Sequence, residues 1–149
     1  MEIFLKVSQS VCVHMLKTPF KRRRKAAVGD SVHMSKDEIL SIINDARSKV
    51  TSSPFVGANN REAEIDKCLE QLKSCLIAPI PVQVVAAYYP QENCEFVDKE
   101  DVLAIAQSSE EYLLYSTSAK LFSKAWKTGD NQFTILGFST DDVIAEWRG

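Results

Sequence analysis

The fifteen residues Leu76–Pro90, L-I-A-P-I-P-V-Q-V-V-A-A-Y-Y-P, form the most apolar run of the chain, and any fold must find a place for them. Proline has no N–H and its ring collides with the preceding helical turn, so Pro79 and Pro81 forbid a helix from continuing here. The run is expected to begin as a helix end, to stop at the two prolines, and to continue extended as far as Pro90. From Val82 to Tyr89 only Gln83 is strongly polar. Both alternating faces, Val82/Val84/Ala86/Tyr88 and Val85/Ala87/Tyr89, are therefore largely apolar. Such a strand belongs inside a sheet rather than at its edge.

A chain of 149 residues, 45% hydrophobic and 26% charged, suits one domain with a core that needs no disulfide or metal support. The prolines of the apolar run interrupt its best candidate for a membrane span. The cysteines Cys12, Cys68, Cys75 and Cys94 form no C-x-x-C pair. They read as reduced thiols of a cytoplasmic protein, since a disulfide framework calls for denser cysteines in a smaller, loop-rich chain. Near the N-terminus the basic cluster follows the apolar residues Ile3–Val7 instead of preceding them, so this segment is expected to stay in the mature chain.

Charge divides the sequence. Residues 1–30 hold seven Lys/Arg against two Asp/Glu, and residues 31–149 hold eleven against eighteen. The pattern is a basic head on an acidic body. Residues 1–34, with the adjacent cations Lys21, Arg22, Arg23, Arg24 and Lys25, read as an extension that can be flexible. Residues 35–149 read as a single domain.

Within that domain, Ser35 and Glu38 form a capping box, and Ile39, Ile42, Ile43, Ala46 and Val50 follow at helical spacing. After a loop over Ser52–Ala58, Asn59 or Asn60 caps a second helix with the stripe Ile65, Cys68, Leu69, Leu72, Cys75 and Leu76. Beyond the apolar run, a turn at Pro90–Asn93 precedes a short strand at Cys94–Val97. Asp98 then caps an expected third helix over Lys99–Gln107, with Val102, Leu103, Ile105 and Ala106 inward. Tyr112–Ser116, Ala119–Trp126 and Gln132–Phe138 read as strands, the last two joined by the turn Thr128–Asn131. Ser139–Asp142 caps a final helix. The order predicts an α+β fold: a helical hairpin followed by a mainly antiparallel sheet of four to five strands, with helices on one side.

Motifs mainly exclude. Phosphate-cradling glycine loops, a G-x-S-x-G elbow, H-E-x-x-H and EF-hand patterns are all missing from the sequence. Its histidines are His14 and His33, which leaves no multi-histidine metal site, and no cofactor is expected. Cys12 and His14 would share a strand face, where an imidazole can activate a thiol, but no orienting partner follows in sequence. Asp98, Glu100, Asp101, Glu110 and Glu111 stand where carboxylates serve helix starts and strand edges. Of Tyr88 and Tyr89, alternation sends one into the core and one to the opposite face.

The reading that follows is a small protein-binding module, with catalysis disfavoured. It acts through an acidic surface of Asp98, Glu100, Asp101, Glu110, Glu111 and Tyr88 on a protein partner, a basic one by charge, in the manner of an inhibitor or immunity protein. The alternatives are a nucleic-acid-associated protein using Lys21–Lys25 and an enzyme with a pocket on the sheet.

Overall fold

The computed structural model describes residues 32–51, 57, 59–90 and 94–148. The basic run Lys21–Lys25, Cys12, His14, the stretches Ile3–Val7 and Val11–Leu16, and most of the loops at 52–58 and 90–93 lie outside the described residues.

Two helices open the fold as their caps and stripes require. Helix α1, Lys36–Ala46, begins at the capping box: the Ser35 hydroxyl accepts from the Glu38 N–H at 3.2 Å, and Glu38 Oε2 accepts from the Ser35 N–H at 2.6 Å. A 3-10 turn, Arg47–Lys49, follows. Asn60 caps helix α2, Arg61–Ser74, by accepting from the Ala63 N–H at 3.1 Å. Arg47 ties the pair together on the outside, donating to Asp66 at 2.7 Å and to Glu62 at 3.1 Å. These exposed ion pairs fix geometry more than they add stability. The inward stripes, Ile39, Ile43 and Ala46 on α1 and Ile65, Cys68, Leu69 and Leu72 on α2, are buried as their spacing predicts.

The apolar run departs from expectation in both halves: its first half is not a helix end, and its second half is an outermost strand of the sheet rather than an interior one. Leu76–Pro81 is not a helix end but a strand, β1, and Gln83–Ala87 is a second, β2. Cys75 closes α2 and the chain turns directly into β1. Prolines fit here because β1 pairs on one side only, with β3, so the missing N–H groups interrupt no second ladder.

The remaining strands are β3 (Val102–Ser108), β4 (Glu111–Ser116), β5 (Leu121–Gly129) and β6 (Gln132–Ile135). They give a six-stranded sheet in the order β1-β3-β4-β5-β6-β2, antiparallel except for β2 beside β6. The two outermost strands are thus one stretch of chain, separated only by Val82. The Val82 N–H donates to Val102 at the start of β3, and the next N–H, that of Gln83, donates to Asn131 before β6. Neighbours on both sides at adjacent residues mean that the sheet curls until its edges meet. The fold is a partly open barrel, and its apolar run is interior where it bonds both ways and an edge elsewhere.

The expected helix over Lys99–Gln107 is the second correction, since its residues form β3. Five consecutive residues, Val102–Ala106, are buried. Val102 and Ala104 face the barrel interior, while Leu103, Ile105 and Ala106 face the helices. A strand buried on both faces loses its alternation, and a bulge between Ala104 and Ala106 disturbs it further. Asp98 is accordingly a left-handed turn residue, with φ of 57°, and not a helix cap.

Two cores result. Val82, Val84, Leu114, Ala125, Phe133 and Ile135 line the inside of the barrel, and the segment before β3 plugs its gap with the fully buried Phe96. The same segment makes a parallel bridge from Val97 to Val84, on the free side of β2. Outside, α1, α2 and the last helix, α3 (Val143–Arg148), cover β3, β4 and β5. Val32 and Met34 pack against this outer core. Buried Asp142 caps α3 through the Ile144 and Ala145 N–H groups at 3.1 and 3.0 Å, and accepts from the Thr51 N–H at 2.8 Å. One carboxylate therefore ties the start of α3 to the segment that follows the 3-10 turn.

Candidate functional site

The fold sorts the expected acidic surface into separate places. Asp98 and Glu100 are exposed on the segment that plugs the barrel, and the Asp98 N–H donates to the Val84 carbonyl at 3.0 Å. They border β2, whose far end carries Tyr88. Asp101 is turned inward, where Ser116 Oγ and the Ser118 N–H donate to its carboxylate at 3.0 and 2.9 Å. Burial pushes its pKa up, but the bonds from Ser118 and Ser116 outweigh this and hold it below the ordinary value. Its work is to close the β4–β5 turn.

Glu110 and Glu111 sit at the other end of the β3–β4 hairpin, about 20 Å away by the rise of a six-residue step along a strand. Glu111 pairs with Lys124 at 3.4 Å. The acids singled out from sequence thus make two groups, of which only Asp98 and Glu100 lie beside the strand leading to Tyr88.

Around Tyr88 the structure assembles something that alternation conceals. Strand β2 ends at Ala87, so Tyr88 and Tyr89 escape the rule that would send them to opposite faces, and both are exposed, at 71% and 53%. Their rings meet edge to face with centroids 4.8 Å apart, and Phe138, 52% exposed, adds a third ring 6.1 Å from Tyr89. The backbone is pinned by Tyr88 N–H to Ile135 at 2.8 Å and Tyr89 N–H to Leu136 at 2.9 Å.

Gly137 makes this junction possible. Its φ is +115°, and a Cβ there would lie 2.1 Å from the Tyr89 carbonyl oxygen. Only glycine both adopts that conformation and lets the two chains approach so closely. The sequence signal that could have found the patch is Gly137-Phe138 after a strand, together with two tyrosines ending at Pro90.

Beyond this face, the open side of the barrel between β1 and β6 holds a cavity of about 280 Å³. Ile77, Ile80, Val82 and Phe133 line it, with Gln107 and Lys127 among its polar groups. No carboxylate, thiol or imidazole is in that lining, and its titratable groups are Tyr112 and Lys127. Among the described residues no group of three His, Cys, Asp or Glu side chains converges to hold a metal ion, and no helix is long and apolar enough to cross a membrane. Cys68, Cys75 and Cys94 are free thiols.

Compared with protein-family models, curated proteins and solved structures, the chain matches none.

Proposed function

We propose that this protein is a non-catalytic binding module of the cytoplasm that docks a basic protein partner on the face formed by Tyr88, Tyr89 and Phe138, with Asp98 and Glu100 beside it. The observation that carries the reading is the aromatic trio: Tyr89 in ring contact with both Tyr88 and Phe138, each of the three more than half exposed. Tyrosine and phenylalanine are enriched where proteins meet, and a guanidinium over such a ring gains a cation–π attraction. Asp98 and Glu100 supply the charge complement. From Val84, which the Asp98 N–H contacts, to Tyr88 is about 13 Å along the strand, well within one interface of ordinary size. Backbone hydrogen bonds hold Tyr88, Tyr89 and Asp98 to neighbouring segments of chain, so association costs little ordering entropy there. The net negative charge of residues 31–149 favours the same kind of partner.

The experiment is affinity capture by three variants of the full chain, with each captured partner then purified and titrated. Tyr88→Ser with Phe138→Ser, and separately Asp98→Asn with Glu100→Gln, should each weaken the partner's binding at least tenfold. Replacing Lys21, Arg22, Arg23, Arg24 and Lys25 by glutamine should leave it in place. The reverse pattern would transfer the function to the basic head, above all if affinity for duplex DNA then fell with salt at a slope near −0.9 per phosphate contacted.

A further inference from the structure

A second cavity, of about 310 Å³, lies between α1 and the β4–β5 hairpin, away from the aromatic face. Tyr115 and Phe122 line it as a cross-strand pair with ring centroids 5.1 Å apart. Met34, Ile42 and Ala46 add apolar wall, and Asp45, Lys49, Thr117 and Lys120 supply its polar groups.

Three features of this cavity are unexplained by folding alone. Tyr115 is 4% exposed, yet among the described residues its hydroxyl has no hydrogen-bond partner, whereas buried Ser116, Ser123 and Asp142 are all bonded. A buried donor left unmade is costly, and native structures rarely keep one without a use. Burial also holds this phenol above its ordinary pKa, so it stays protonated and able to donate. Second, the exposed Lys49 and Lys120 both line the cavity, with no ion pair among the described residues. Third, Lys120 occupies a left-handed position, φ 57°, closing a turn with its N–H on Ser116 at 2.8 Å. Glycine would hold that backbone at lower cost, so a lysine here carries a conformational penalty.

We infer that this cavity binds a small organic monocarboxylate with an apolar body. The Tyr115 hydroxyl and the ammonium groups of Lys49 and Lys120 are three donors suited to a carboxylate, and the Tyr115–Phe122 pair with Ile42 and Ala46 takes the hydrocarbon part. Two lysines against Asp45 leave one net positive charge among the lining groups, which matches a monoanion better than a dianionic phosphate ester. The volume admits a ligand of roughly ten to fifteen non-hydrogen atoms, at the small end of known ligand pockets. This inference is independent of the docking face and stands whether or not that face is used.

The test titrates the isotope-labelled full chain with 3-phenylpropionate, with its neutral amide, and with inorganic phosphate, following backbone amide resonances. Phenylpropionate should give saturable shifts confined to α1, the 3-10 turn and residues 115–122, and should bind at least tenfold more tightly than the amide or phosphate. Tyr115→Phe should weaken it about fivefold or more while leaving the melting temperature equal to or above that of the parent, because the hydroxyl removed has no partner to lose among the described residues. Lys49→Gln with Lys120→Gln should abolish the preference for the anion over the amide. Equal binding of acid and amide, shifts scattered over the surface without saturation, or full affinity in Tyr115→Phe would each overturn the assignment. So would a drop in melting temperature in Tyr115→Phe, which would show the hydroxyl to be structurally engaged. Binding of phosphate alone would overturn it too.

Discussion

One barrel wall has two different exteriors. On β3, β4 and β5 the outward side chains Leu103, Ile105, Leu113, Tyr115 and Phe122 are no more than 4% exposed, because α1, α2 and α3 lie over them. On the side of β1, β2 and β6, Ile80 stands 49% exposed and Val85 and Leu136 38% each, and the aromatic trio continues the same surface. The sequences of the two halves are comparably apolar. What separates them is coverage: the described helices all lie on one side of the sheet, and the interior of the barrel already stabilises the other side from within. A hydrophobic residue on the covered side therefore contributes to folding, while one on the bare side is free for contact with other molecules.

The largest expected effect tests the covered side. Leu72, fully buried between α2 and the sheet, should cost about 2–5 kcal/mol when replaced by alanine, whereas Val85→Ser on the bare side should stay within about half a kcal/mol. Urea melts of the two variants compare the halves directly, and equal losses would erase the distinction. Gly137→Ala comes next, at about 1–3 kcal/mol, because the new methyl group would collide with the Tyr89 carbonyl at a left-handed position. Its melt should fall while ring-proton spectra show the Tyr88–Tyr89 contact displaced. An unchanged melt and spectrum would mean that the aromatic face is not held by this junction.

A smaller effect concerns Glu146 on α3, which accepts from the Lys124 N–H at 3.1 Å. Burial pushes its pKa up, opposed by Lys124 and helped by the nearby Asp142 charge. The folded chain thus holds this proton more tightly than the unfolded chain does. The resulting stability is fully present below the unfolded carboxylate value and is lost as pH rises through the raised folded value. Glu146→Gln keeps an acceptor for Lys124 and removes the buried charge, so its stability relative to the parent should rise between pH 4 and pH 7. A difference that stays flat across that range would show Glu146 to be solvated like a surface acid.

The least effect on stability is expected at Tyr88→Ser, within about half a kcal/mol, since the side chain is 71% exposed. Its consequence should instead be lost partner binding in the capture experiment. A large loss of stability would move Tyr88 into the folding half of the comparison.

Local chemistry determined much of this molecule. The capping box at Ser35–Glu38, the stripes of α1 and α2, the strands β4 to β6 and the α+β class follow from spacing and turn residues that act over a few positions. Burial on both faces hid β3, because periodicity reports a boundary between core and water, and Val102–Ala106 has no water on either side. The closure at Val82 was equally invisible, since it depends on β3 and β6 arriving from the rest of the chain to take opposite sides of adjacent residues. Tyr88 and Tyr89 are exposed together because tertiary packing ends β2 at Ala87, two residues before Tyr89. The Tyr115 hydroxyl, without a hydrogen-bond partner among the described residues, likewise lies where α1 and the β4–β5 hairpin leave a cavity between them: residue types set which groups are present, and three-dimensional neighbours decide which are left unsatisfied.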